Sequence, residues 1–161
     1  MIQITNNDVT DLRRELEREK CKRSFSYFVQ KFWPVVDAAK YKHNWHVDQV
    51  CKALEKTLDG TVNRLVINIP PGHMKSLLVS VFFNAWVWGP AGRPDKMFLS
   101  TSHSQDFSTR DTRRTRMLIT SEEYQYLWPI ELEADQDAKT HFINVCKGQR
   151  QAKSFSSLTG A

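Results

Sequence analysis

The run Leu65-Val-Ile-Asn-Ile-Pro-Pro-Gly-His-Met-Lys75-Ser76-Leu-Leu-Val-Ser80 constrains this chain more than any other stretch. A short apolar segment bounded by turn residues predicts a buried strand over 64–69. The Pro/Gly turn then presents Lys75 and Ser76 at the start of a helix over 75–88. That helix is apolar nearly all round, as befits an element sandwiched inside a layered fold. Strand, tight turn and helix in this order make a corner of an α/β sheet. Such a corner also suits a phosphate. The helix start offers unpaired N–H groups and a positive dipole end, a lysine adds a point charge, and a serine hydroxyl can ligate Mg²⁺. An ordinary structural corner has the same layout, so the residues themselves must be weighed.

The weighing is mixed. In the pattern G-x-x-x-x-G-K-[ST] the glycines would fall at Ile69 and Met74, and neither is glycine. Gly72 alone supplies backbone freedom. A methionine forced into the left-handed region costs about 1–2 kcal/mol. Either the loop follows a different path or it holds nucleotide more weakly.

A chain of 161 residues fits one domain and can bury a core, and 40% hydrophobic with 25% charged residues excludes a disordered chain. Its net charge of +5 suits contact with a polyanion without requiring one. Cys21, Cys51 and Cys146 are odd in number and far apart, which speaks against a disulfide framework and for a reducing cytosol. His43 and His46 with Cys51 lack a fourth ligand, so a buried cysteine and helix-start histidines are the better reading than zinc. The N-terminus lacks the basic and apolar regions of a signal peptide, and the stretch 77–88 is too short to span a bilayer.

Along the chain, residues 8–23 read as a helix with mixed charges at i,i+4 spacing, a solvated face or a partner surface. Phe25, Phe28, Val29, Phe32 and Trp33 form an aromatic stripe that ends at Pro34. Asn44 is placed to cap a helix over 45–59 that buries Val47, Val50, Cys51, Leu54 and Leu58 and stops at Gly60. A second strand is expected over 96–102, a helix over 104–119, and a short helix that Ser121-Glu-Glu-Tyr caps and starts and that ends before Pro129. The acidic stretch 131–137 reads as a loop, and strands over 140–146 and 154–158 flank a turn. Alternating strands and helices predict a mostly parallel sheet.

Three constellations carry chemistry. Arg110, Arg113 and Arg114 share one helix face, which suits DNA phosphates, a neighbouring subunit's nucleotide, or plain solvation. His46 and Gln49 precede the strand that enters the loop, where an amide could read an adenine edge. Ser100, Ser102, His103 and Ser104 are a polar strand end without an orienting acid.

Taken in order, these segments resemble the large terminase subunit of tailed bacteriophages and prophages, the DNA-packaging motor. The resemblance rests on Phe32-Trp-Pro-Val, Trp45-His46 with its helix, and the loop from Asn63 to Ser80. It continues through Ala85-Trp-Val-Trp-Gly89, Ser100-Thr-Ser-His-Ser-Gln-Asp106, Arg110-Asp-Thr-Arg-Arg114 and Ser121-Glu-Glu-Tyr to Trp128-Pro129. Many members have Pro-Pro-Arg-His-Gly-Lys-Ser at the loop. The Gly72 and Met74 found here mark a branch and leave out the arginine other members carry.

The resemblance implies a P-loop NTPase-like α/β fold, with a mostly parallel sheet flanked by helices. It divides the chain into a charged helix (1–24) and the N-terminal part of the ATPase domain (25–161), ending before the Walker B strand and without the nuclease domain. That is roughly the first third of a family member. It also implies binding of ATP and Mg²⁺ by Pro71, Gly72, His73, Met74, Lys75, Ser76 and Leu77. Lys75 would contact the β/γ-phosphates, Ser76 would ligate the metal, and His46 and Gln49 would lie on the adenine side. The implied partners are double-stranded DNA, a portal protein, a small terminase subunit and further copies in a ring, in the host bacterial cytoplasm and not in a membrane. An alternative is a non-catalytic remnant that binds terminase, portal or DNA. In either case the chain alone is expected to lack turnover, and a sheet cut before its central strand is expected to be marginal or to self-associate.

Overall fold

Acids and bases at helical spacing build α1 (Asn6–Arg23), whose surface carries the pairs Lys20–Glu17 and Arg23–Glu19 at 2.9 and 2.7 Å. The computed structural model describes residues 6–102, 104–133 and 139–154. Ser24 then caps α2 (Phe25–Val36), its hydroxyl accepting from the Tyr27 N–H. The aromatic stripe is buried as its spacing predicts, but the helix continues two residues past Pro34. In a last turn the missing proline N–H forfeits only one helical bond, so the helix is not broken there. Next come α3 (Trp45–Leu58), which buries Val47, Val50, Cys51 and Leu54, and α4 (Lys75–Leu77). From α4 the helix runs on through a π-helical segment (Leu78–Phe82) into α5 (Phe83–Trp88).

Strand β1 (Phe98–Ser102) leads to α6 (Gln105–Ile119) and α7 (Glu122–Leu127), followed by β2 (His141–Ile143) and β3 (Gln149–Ser154). The strands lie in the order β1-β3-β2, with β1 parallel to β3 and β2 antiparallel to it. Leu99 pairs with Gln151 and Phe142 with Arg150. The core is chiefly helix on helix. Phe28 packs against Phe32, Tyr124 and Trp128 at 4.7, 6.3 and 6.0 Å, and Phe25 meets Trp86 at 5.3 Å. No helix among the described residues is long and apolar enough to cross a membrane.

This architecture overturns the expected P-loop NTPase-like fold. The described residues are 55% helical with a small mixed sheet, not a mostly parallel sheet flanked by helices. The decisive difference lies at 64–69, which forms no strand. It runs extended beside the core with Leu65 and Ile67 packed inward, while Val66 is 91% exposed. A strand exists only through a neighbour's backbone, and none pairs here among the described residues. Leu65, Ile67 and Ile69 are only partly buried, so the segment does not fill both faces of a sheet. The last strand also differs: it forms at Gln149–Ser154, while 155–158 lie outside the described residues. Of the acidic stretch, only its start is described, where Leu132 bridges to Asn144.

Candidate functional site

Two left-handed residues shape the loop between the extended segment and the long helix. Gly72 has φ +82° with open space around it, and Met74, directly before the helix, has φ +62° and ψ 2°. Methionine itself therefore takes the conformation that a glycine usually fills, at a strain of about 1–2 kcal/mol. Met74 is anchored because its side chain packs against the core. His73 closes the turn by donating its Nδ1–H to the Pro71 carbonyl at 3.0 Å.

The consequence is a set of free donors. The first helical bond runs from the Leu78 N–H to the Met74 carbonyl at 2.9 Å, and Met74 contributes no side-chain cap. The N–H groups of Lys75, Ser76 and Leu77 are thus left for solvent or an anion. Lys75 and Ser76 are exposed, and with Pro71, Gly72 and Arg110 they line two adjoining clefts. One, of about 650 Å³, reaches Trp33, Asp37, Lys40 and Lys42. The other, of about 820 Å³, extends to Ser80, the β1 residues Ser100–Ser102 and Asp111.

The residues singled out by sequence separate here. Arg110 reaches both clefts, held by Asp111 at 3.3 Å and by the ring of Phe107. Arg113 and Arg114 share its helix but line neither cleft. His46 meets the loop through His73, ring centroids 5.5 Å apart, with its Nε2 buried and unpartnered. Gln49 is exposed on α3 and joins neither cleft. Ser100 and Ser102 line the second cleft, and His103 lies outside the described residues.

Sequence reasoning missed a hub beneath the second cleft. The Ser80 carbonyl lies inside the π-helical turn Leu78–Phe82. That oxygen accepts from Asn84 Nδ2, Thr115 Oγ1 and Arg150 Nη2 at 3.1, 3.1 and 3.2 Å. Arg150 is fully buried and its Nε finds no partner. Burial lowers its pKa to about 10, against the pull of Asp111. Burial also raises the pKa of Asp111, opposed by Arg110, Arg114 and Arg150. Lys40 and Lys42 were equally unflagged, because lysines in a connecting segment look like ordinary solvated charge.

The cleft suits a phosphate chain: free N–H donors, Lys75 and Arg110 converge, and the two lining carboxylates are already engaged. Asp37 accepts from the Ala39 N–H and Asp111 faces Arg110. No cluster of His, Cys, Asp or Glu able to hold a metal occurs among the described residues. Mg²⁺ would have Ser76 Oγ as its protein ligand here, with the remaining oxygens coming from phosphate and water. The chain matches no known family model, no curated protein and no solved structure.

Proposed function

We propose that the chain binds ATP at the loop 71–77, as the nucleotide-holding segment of a large terminase subunit that powers packaging of double-stranded DNA into procapsids. The proposal rests on the loop and its clefts and does not invoke a P-loop sheet. The observation that carries it is the convergence of unpaired N–H groups, Lys75, Ser76 and Arg110 on one opening. Helix N-termini and lysine charge both favour a phosphate group, and Arg110 adds a fork of donors. MgATP would bring the metal with it, supplying charge neutralisation on the phosphates, with Ser76 as the protein's contribution.

Binding without turnover is the activity proposed for this chain alone. An attacking water needs a carboxylate or amide to orient it, and the two carboxylates in the cleft linings are already engaged, Asp37 by the Ala39 N–H and Asp111 by Arg110. Within a motor, DNA, portal, small subunit and further copies of the large subunit would be the partners, in the host cytoplasm.

Calorimetric titration with MgATP tests the site. Wild-type protein should bind, and Lys75→Ala should weaken binding by about 10- to 100-fold, the scale of a lost charge-assisted contact. Equal affinity in both would overturn the assignment.

A further inference from the structure

The first cleft has a wall that the loop does not supply. Between α2 and α3 the chain passes Asp37-Ala-Ala-Lys40-Tyr-Lys42-His43, and this passage is pinned at several points. Asp37 Oδ1 accepts the Ala39 N–H at 2.9 Å, and the Trp33 indole donates to the Ala39 carbonyl at 2.6 Å. Tyr41 packs inward, its ring 5.5 Å from that of Trp33. Beyond it, His43 lies 3.1 Å from Asp48.

With Tyr41 turned to the core, its neighbours on either side turn outward, as alternation along an extended chain requires. Lys40 and Lys42 both line the cleft that also holds Lys75 and Arg110. Four cations (Lys40, Lys42, Lys75, Arg110) thus share one cleft with a single carboxylate, Asp37, which is tied to its own turn. Lys40, Lys42 and Lys75 make no ion pair with any described carboxylate. Three lysines gathered without ion pairs, beside an arginine already paired with Asp111, disfavour the empty cleft and favour an anion that offsets several charges at once. A compact phosphate at the helix start engages Lys75 and the free N–H groups. An anion that also satisfies the lysines of the pinned turn must be longer and more highly charged.

We propose that Lys40 and Lys42 are specificity-determining residues of this cleft: with Lys75 and Arg110 they select a triphosphate chain over shorter phosphates. The inference rests on the phosphate reading of the Lys75 loop and adds a second element to it. Pinning matters because a wall held by Trp33 and Tyr41 loses little freedom on binding, so its charge goes into affinity.

The test is calorimetric titration of the full chain with sodium tripolyphosphate and with pyrophosphate. The variants are Lys40→Gln/Lys42→Gln, Lys40→Arg/Lys42→Arg and Lys75→Ala. Wild-type protein should prefer tripolyphosphate. The double glutamine variant should weaken tripolyphosphate about tenfold, the summed scale of two partly exposed ion pairs, with a flatter salt dependence. Its pyrophosphate affinity should stay within about twofold. The double arginine variant, which keeps the charge, should keep the preference. Because both lysines are exposed, these variants should fold, and circular dichroism checks it.

Unchanged tripolyphosphate binding in the glutamine variant, with binding lost in Lys75→Ala, would overturn this inference and leave the loop reading intact. Equal losses for both anions would overturn length selection. Loss of duplex DNA binding with tripolyphosphate binding preserved would make the turn a nucleic-acid contact instead. Lys75→Ala binding like wild type would bring down both readings.

Discussion

Met74 is where a single side chain pays most visibly for the shape of the site. Its φ of +62° places a non-glycine residue in the left-handed region, directly before the helix that offers its N–H groups. Replacing it by glycine removes that strain but also removes core contacts and loosens the unfolded chain. Met74→Gly should therefore stay within about 1 kcal/mol of wild type. A β-branched residue tolerates the conformation far less, so Met74→Val should lose about 1–2 kcal/mol. Urea denaturation midpoints measure both, and a valine variant as stable as the glycine one would contradict the left-handed placement. The residue scale also shows what spacing conceals. Gln149-Arg-Gln-Ala-Lys falls between the two strands the sequence predicts, yet Arg150 is fully buried against the Ser80 carbonyl. Only a three-dimensional neighbour could reveal that.

Among the elements, α1 is attached partly through charge, beside its buried Cys21 whose carbonyl accepts from the Trp86 indole. Glu17 accepts from Lys20 and Tyr27 at 2.9 and 3.0 Å, and Lys31 bridges it to Glu123 of α7. Burial pushes the Glu17 pKa up, but the hydrogen bonds from Lys20, Tyr27 and Lys31 outweigh it and the net shift is downward. A lowered folded-state pKa means stability that is present above the ordinary value of 4.5 and lost as the pH falls below it. Glu17→Gln should cost about 0.5–1.5 kcal/mol at neutral pH. The gap between variant and wild type should close in acid, measured by chemical denaturation at both pH values. A gap of equal size in acid would show that the carboxylate charge is not its source. Most helices were legible because their bonds are local and their apolar faces recur at fixed spacing. The 64–69 segment was misread for the complementary reason. An apolar run states that a strand is possible, and only a partner from elsewhere in the chain makes one.

At the scale of the whole molecule, helices bury the aromatic core and leave a small sheet with an open edge at β1. Val66, Met97 and Leu99 are 91%, 67% and 56% exposed; among the described residues the 64–69 backbone is unpaired and β1 pairs on one side only, with β3. Unpaired, apolar edges are templates for another chain. Sedimentation velocity should show concentration-dependent association, and Val66→Lys/Leu99→Lys should reduce it while changing stability by no more than about 0.5 kcal/mol per site. A wild-type protein that stays monomeric at high micromolar concentration would refute this. The sequence by itself determined the helices, the Pro/Gly turn, and the placing of Lys75 and Ser76 at a helix start, because these depend on residues within a few positions of one another. Tertiary structure alone decided that 64–69 pairs with no described strand and that Arg150 is buried. It also decided that Lys40, Lys42 and Arg110, from distant elements, meet Lys75 in one cleft. Strand pairing, burial and charge clustering are relations between remote segments, and local periodicity carries no information about which segments will meet.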